Sequence, residues 1–243
     1  MTSKPIGPPI ASGRTAEIYA WDDDHVLKLF RTWMPASAAA HEAGIARAVY
    51  ETGIRVPAVG DVVTVEGRAG ILYERIEGIS MMTALGRQPW RFARFARDLA
   101  DLHAEMHRHR PPELPAQKER LIEKIKAAGP LADHLKVKAI QALTTMPDDN
   151  RLCHGDLHPD NVLITDEGPM IIDWVNATQG HPMADVARTS LLLSTGALPP
   201  EVPKPLRRLI AALRHFFHTL YLKRYLHQRR PSSRRELEAW QPL

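Results

Sequence analysis

The chain reads as an α+β protein with a small β-rich lobe first and a larger, mainly helical lobe after it. Two strand–turn–strand patterns flank one alanine-rich helix in the first third. Apolar residues then recur at helical spacing through most of the remainder, and one short β island at 161–173 interrupts them with a dense set of polar groups.

Residues 16–21 and 25–30 flank Asp22-Asp23-Asp24, a turn-forming cluster, and predict a hairpin. Residues 36–51 are alanine-rich, lack Pro and Gly at all positions but Gly44, and stop before Gly53, which predicts a helix. Residues 59–65 and 70–76 flank Glu66-Gly67 and predict a second hairpin. Glu77-Gly78 then breaks the pattern and predicts a division into lobes 1–77 and 78–243. Residues 90–109 set Phe92, Phe95, Leu99, Leu102 and Met106 on one stripe, the mark of a helix with one buried face. Further helices are predicted at 117–128, 131–145, 182–195, 204–228 and 232–240.

Composition narrows the class without naming a function. With 44% hydrophobic and 25% charged residues over 243 positions, the chain is ordinary globular material able to bury a core. One cysteine, Cys153, excludes an internal disulfide and a multi-cysteine metal site. The N-terminal MTSKPIGPPI has no apolar run fit for a signal peptide, and no stretch reads as a membrane span. A cytoplasmic protein with no membrane partner is expected. The net charge of +4 is uneven, since ten Lys/Arg face three Asp/Glu from residue 201 onward. Such a tail attracts phosphates or nucleic acid, or forms a solvated helix face.

The polar residues of the island carry the chemistry. Residues 151–165 read RLCHGDLHPDNVLIT, then come Asp166-Glu167-Gly168 and PMIIDW. Gly168 suits the closing position of a three-residue hairpin loop. Centring the hairpin on Glu167 pairs Thr165 with Pro169 and sets Asn161 opposite Asp173. Directly opposed residues have Cβ atoms about 4.5–5.5 Å apart on one face. An amide and a carboxylate oxygen side by side suit Mg²⁺, which takes a few protein oxygens and fills its shell with water and phosphate. The same residues would also serve simply to end a strand and cap a turn. Asp156, in the loop between Gly155 and Pro159, is placed to orient a hydroxyl and take its proton.

Lys28 lies within the apolar run Val26-Leu27-Lys28-Leu29-Phe30, where its charge needs a partner. On the following helix Glu42 shares a stripe with Ala38, Ile45 and Val49. A Lys28–Glu42 ion pair answers both, either as a structural pair or as a means of fixing an ammonium for phosphate oxygens.

The runs HGDLHPDN and IIDW, with Lys28 and Glu42 upstream in the same order, resemble the aminoglycoside phosphotransferase and choline kinase superfamily, relatives of the protein kinases. The resemblance implies a two-lobed protein-kinase-like fold with ATP between the lobes, residues 1–77 forming the nucleotide-binding lobe with its hinge and 78–243 the catalytic and substrate-binding lobe. It implies a transferase that moves the γ-phosphoryl group of ATP to a hydroxyl of a small molecule. By it, Asp156 is catalytic, Asn161 and Asp173 bind Mg²⁺, and Lys28, placed by Glu42, meets the ATP phosphates. The backbone of Tyr73, Glu74 and Ile76 corresponds to the hinge that meets adenine, and Gly13 to the phosphate-covering loop. That loop, Ser12-Gly13-Arg14-Thr15-Ala16-Glu17, has one glycine where protein kinases have three. His158 stands where protein kinases have a lysine; it either approaches the transferred phosphate or holds its loop by hydrogen bonds. Asp185 resembles the aspartate that braces the catalytic loop.

Other readings remain in view. His154, Asp156 and His158 alternate as the ligands of a metal-dependent hydrolase would. His103 and His107 lie in H-x-E-x-H, not the zinc-protease H-E-x-x-H, and His103 is expected to be a hydrogen-bonded core residue. The basic residues Arg207, Arg208, Arg214, Lys223, Arg224, Arg229 and Arg230 support a nucleic-acid-binding module, the weaker alternative because no recognition motif accompanies them. The acceptor's identity and the oligomeric state stay open.

Overall fold

The structure, a computed structural model, describes residues 7–111, 113–195, 203–229 and 234–240. The small lobe is a five-stranded antiparallel sheet with one helix. Its strands are β1 (Ala11–Ser12), β2 (Ala16–Ala20), β3 (His25–Phe30), β4 (Val59–Val65) and β5 (Arg68–Glu74), in the order β1-β2-β3-β5-β4. Both predicted hairpins form. Glu66 and Gly67 both take positive φ, 52° and 76°, as a tight turn matched to the twist of its strands requires. Helix α1 (Ser37–Tyr50) runs between β3 and β4. Its Ala39 and Ala43 pack with Ala16, Phe30 and Ile71, small side chains that let the helix approach the sheet closely.

The large lobe opens with β6 (Ile79–Ser80), which enters α2 (Met81–Arg87) directly because Ser80 Oγ accepts the Thr83 N–H at 3.1 Å. There follow α3 (Phe92–Met106), α4 (Gln117–Ala127), α5 (Asp133–Thr145), β7 (Arg151–Cys153), β8 (Val162–Thr165), β9 (Gly168–Ile171), β10 (Thr178–Gly180), α6 (Pro182–Thr195), α7 (Lys204–Gln228) and α8 (Arg234–Trp240). The amphipathic stripe of α3 is real: Phe95, Leu99 and Met106 are buried, packed in one core with Leu152, Leu157 and Tyr221. Arg224 of α7 clamps Asp101 of α3 at 2.6 and 2.9 Å, so one cation of the basic tail is engaged within the fold.

Three sequence expectations need correction. The predicted helix at 90–109 is shorter, because Pro89–Arg91 forms a separate 3-10 turn and the helix stops at Met106. The β island is not alone: β6 pairs with β8, and β7 with β10 in a second ribbon. Elements of two or three residues are too short to show a period-two pattern. The hairpin register is also one residue off. Thr165 pairs with Gly168 and Val162 with Ile171, so the loop is the two residues Asp166-Glu167 and Asn161 does not oppose Asp173. Of the helix predicted at 232–240, residues 232 and 233 lie outside the described residues, as does Arg230. No helix among the described residues is long and apolar enough to cross a membrane.

Candidate active site

The loop after β7 is shaped by one buried carboxylate. Asp185, near the start of α6, accepts the backbone N–H of His154 at 2.7 Å and of Gly155 at 2.8 Å. Gly155 has φ +76°, and a Cβ there would lie 2.7 Å from Asn176 O, so only glycine makes this turn without strain. The His154 ring is fully buried; Nε2 donates to Ile172 O at 3.1 Å while Nδ1 accepts the Asp156 N–H at 3.2 Å. Both nitrogens are therefore engaged with the backbone. That corrects the hydrolase alternative: His154, Asp156 and His158 do not assemble as ligands, and His154 is a brace between two loops.

Asp185 is itself held by His103 of α3 and by His107, the residue that follows the helix. Their Nε2 atoms lie 3.1 and 3.3 Å from its Oδ2, and their Nδ1 atoms lie 2.6 and 2.7 Å from the hydroxyls of Tyr221 and Tyr225. An ionised carboxylate only accepts, so each Nε2 donates to it and each Nδ1 accepts from its tyrosine. The hydrogen-bonded core histidine expected at position 103 is thus present, with His107 as a second. Burial, then the neighbouring His103, lowers the His107 pKa to about 3. Burial opposes the Asp185 charge, but the hydrogen bonds from His103 and His107 outweigh it and hold its carboxyl well below the usual range. These three side chains form the one grouping of metal-ligating type among the described residues. Hydrogen bonds to the tyrosines and to the loop already satisfy it.

Asp173 compensates for the lost register. Ile172 N–H donates to Asn161 O at 3.0 Å, closing the ladder, and Asp173 then turns left-handed with φ 65°. Aspartate tolerates this conformation better than most residues. It breaks the alternation of faces and brings Oδ1 to Lys28 Nζ at 2.8 Å. Lys28 also meets Glu42 Oε1 at 2.7 Å, the expected pair, with Glu42 almost fully buried. Burial works against the Lys28 ammonium, but Glu42 and then Asp173 outweigh it and raise its pKa. Burial likewise opposes the Asp173 charge, yet Lys28 overcomes it and lowers that pKa. Asn161 donates Nδ2 to Asp156 O at 2.9 Å, tying its amide to the loop after β7. Among the described residues no protein donor reaches Asn161 Oδ1 or Asp173 Oδ2. An amide and a carboxylate oxygen left free fit a hard cation.

The remaining expected residues fall as follows. Tyr73 lies inside the sheet, between Val26 of β3 and Val59 of β4, and its hydroxyl donates to Glu42 at 3.1 Å. The Glu74 N–H is engaged with Ala58 O and the Arg75 N–H with Asp24 O, which leaves Ile76 as the first of these expected hinge residues whose N–H has no backbone partner among the described residues. Gly13 sits in an exposed turn pinned by Arg31, whose guanidinium donates to Gly13 O at 3.0 Å and Ser12 Oγ at 2.8 Å. His158 Nδ1 accepts the Asp160 N–H at 3.3 Å, and Nε2 lies 3.9 Å from Asp156 Oδ2.

Residues 7–231 match the family described as "Phosphotransferase enzyme family". The chain belongs to this family. No curated protein matches it significantly in sequence. Among solved structures, this phosphotransferase-family chain is similar to a choline/ethanolamine kinase family protein from Mesorhizobium loti, with 17% identity over 99% of this chain and 93% of that one, TM-score 0.53. It is similar to aminoglycoside phosphotransferase APH(4)-Ia, with 15% identity over 99% and 83%, TM-score 0.61. It is also similar to the amicoumacin kinase hAmiN, solved with AMP-PNP, Ca²⁺ and Ami, with 17% identity over 93% and 73%, TM-score 0.59. At these identities the likeness is one of fold, the protein-kinase-like pairing of a small sheet lobe with a helical lobe.

Sequence reasoning did not reach several side chains of this family member's cleft. The resemblance marks Tyr73 for its backbone alone, whereas its hydroxyl donates to Glu42. Arg31 follows β3 with no motif to mark it. Arg188 of α6 places a guanidinium 3.4 Å from Asp156 Oδ1. Its offset of three from Asp185, nearly one helical turn, was the available signal, since residues so spaced share a helix face.

Proposed function

We propose that the protein is an ATP- and Mg²⁺-dependent small-molecule kinase that transfers the γ-phosphoryl group to a hydroxyl. The observation that carries this reading is the double contact of Lys28 with Glu42 and Asp173, which fixes an ammonium between the lobes beside the Asp173 carboxylate. The lobes divide at 77/78 in this reading, with the nucleotide base against the hinge at Ile76 and the phosphates under the turn at Gly13.

Asn161 and Asp173 would hold the cation, whose chemistry is to offset negative charge on the β- and γ-phosphate oxygens. Lys28 orients the α- and β-phosphates while Glu42 and Tyr73 keep its ammonium in place. Asp156 accepts a hydrogen bond from the acceptor hydroxyl and takes its proton late, as the oxygen bonds to phosphorus and the bond to the ADP oxygen breaks. The transition state is loose, so position and charge do most of the work. Asp185, through the N–H groups of His154 and Gly155, keeps Asp156 at the right height in the cleft.

The reading is tested by ADP release from ATP and Mg²⁺ over a panel of aminoglycosides, macrolides, amino alcohols, sugars, nucleosides and their phosphorylated derivatives. Acceptor-dependent ADP formation that Asp156→Asn abolishes supports it; nucleotide binding with no turnover on any acceptor class counts against catalysis.

A further inference from the structure

Cations of α4 and α6 stand near Asp156. Arg188 of α6 is half-exposed and reaches Asp156 Oδ1 at 3.4 Å. Lys124 of α4 donates to Asn176 Oδ1 at 3.2 Å. Asn176 is the residue against which Gly155 packs, so Lys124 stands beside the catalytic loop. One turn earlier, Arg120 reaches across to His41 Nε2 of α1 at 2.7 Å, carrying α4 from the large lobe to the small one. The helix is anchored in this pose: Gln117 Oε1 accepts the His181 N–H at 3.0 Å, and Gly180 leaves no room for a Cβ against Gln117.

The negative charge on this rim is incomplete. Glu123 lies 3.4 Å from Arg120, and Asp156 faces Arg188. Lys124 has no carboxylate within ion-pair distance among the described residues. Desolvation first, and then Arg188 and Arg120, lower its pKa, with Asp156 offsetting only part. A rim of this sign repels a polyamine and attracts an oxyanion. Positively charged side chains held side by side next to a reacting group are the usual chemistry of phosphate and carboxylate recognition.

We infer that the acceptor is a hydroxyl compound that also carries an oxyanion, a phosphate or a carboxylate, and that Lys124 and Arg188 hold that anion while Asp156 faces the hydroxyl. This deepens the kinase reading and rests on it. The bonds are unchanged: the hydroxyl oxygen joins the γ-phosphorus, the β–γ bridging oxygen leaves with ADP, and the hydroxyl proton goes to Asp156. The anion is untouched and serves only to place the hydroxyl.

Calorimetric titration of protein saturated with Mg²⁺ and AMP-PNP tests the inference, because the γ-phosphate position is then filled. Glycerol 3-phosphate, glycerol, inorganic phosphate, acetate and spermidine are titrated in turn into wild type and into a Lys124→Gln/Arg188→Gln variant. Saturable binding of glycerol 3-phosphate and of phosphate or acetate is expected, with none for glycerol or spermidine. The double variant should weaken the anions at least about tenfold, as loss of charge-assisted hydrogen bonds does. Phosphate against acetate separates the two oxyanion sources. Spermidine binding in place of the anions, anion binding indifferent to the two substitutions, or no anion binding at all overturns the inference and leaves the kinase reading standing. A fall in AMP-PNP affinity in the double variant also overturns it, assigning these cations to the nucleotide. Failure of wild type to bind AMP-PNP removes the kinase reading, and this inference with it.

Discussion

Lys28 and Asp173 stand 145 positions apart in the chain and meet at 2.8 Å across the two lobes. One ammonium therefore joins β3, through Glu42 to α1, and the loop that follows β9. In the kinase reading the nucleotide phosphates take over Lys28 and the cation takes over Asp173, so this contact holds the cleft in register before substrate arrives. The Asp173 pKa is lowered, so its share of stability exists above the ordinary carboxylate range and is lost as pH falls through the lowered value. The Lys28 pKa is raised, so its share exists below the ordinary ammonium value and is lost as pH rises through the raised one. The bridge is whole across the neutral range.

Lys28→Ala strands Glu42 in the core with only the Tyr73 hydroxyl. Removing one partner of a buried pair costs about 3–5 kcal/mol, which urea unfolding would show as a lower midpoint with unchanged slope. Lys28→Ala with Glu42→Ala should recover part of that loss, because no buried charge is then unpaired. Stability unaltered by Lys28→Ala would contradict the contact.

Asp156→Asn keeps the size of the side chain and the backbone bonds of its loop while removing the carboxylate proposed to act as base. Turnover on a responsive acceptor should fall by about 10²–10⁴, with unfolding unchanged. Full activity in the variant rules out proton acceptance by Asp156.

Gly155→Ala places a methyl against Asn176 O on a left-handed backbone. A cost of about 1–3 kcal/mol is expected from the strained conformation, together with lost activity, since the same turn carries Asp156. Circular dichroism melting against wild type checks the first and ADP release the second. A variant as stable and active as wild type would show that the turn relaxes freely.

His107 is one contributor to the acid side of stability. It is neutral in the fold, with a pKa lowered to about 3, and titrates near its ordinary value once unfolded. Between those values the unfolded chain binds the extra proton, so stability falls as pH drops through that range. From pH 7 to pH 5 this one imidazole should remove about 2 kcal/mol. His107→Gln should flatten the slope by about one proton, measured by urea unfolding at each pH. An unchanged slope would place the titrating group elsewhere.

The sequence made the gross fold legible wherever a signal repeats along the chain. The two N-terminal hairpins, the stripe of α3 and the Lys28–Glu42 pair all rest on local period or on a charge in an apolar run. What escaped were features set by one residue or by distant chain. The hairpin at Gly168 admits two- and three-residue loops, and a single-residue slip moved Asn161 off Asp173. The left-handed turn at Asp173 then supplied a contact that strand alternation alone could not foresee. The ribbon of β7 and β10, the Tyr73 hydroxyl and the cations from α4 and α6 are tertiary facts, brought together over dozens of residues with no local pattern. HGDLHPDN marked the place of the site, but not the sign of the charge that surrounds it.

Mg²⁺-dependent nucleotide binding tests the central claim most directly. Titrating AMP-PNP into wild type with Mg²⁺ and then with EDTA should give saturable binding that depends on the metal. Asp173→Ala and Asn161→Ala, each folded by circular dichroism, should weaken it at least about tenfold by removing an oxygen ligand. Binding that ignores the metal, or that survives both substitutions unchanged, would contradict a cation held between those residues and the phosphates.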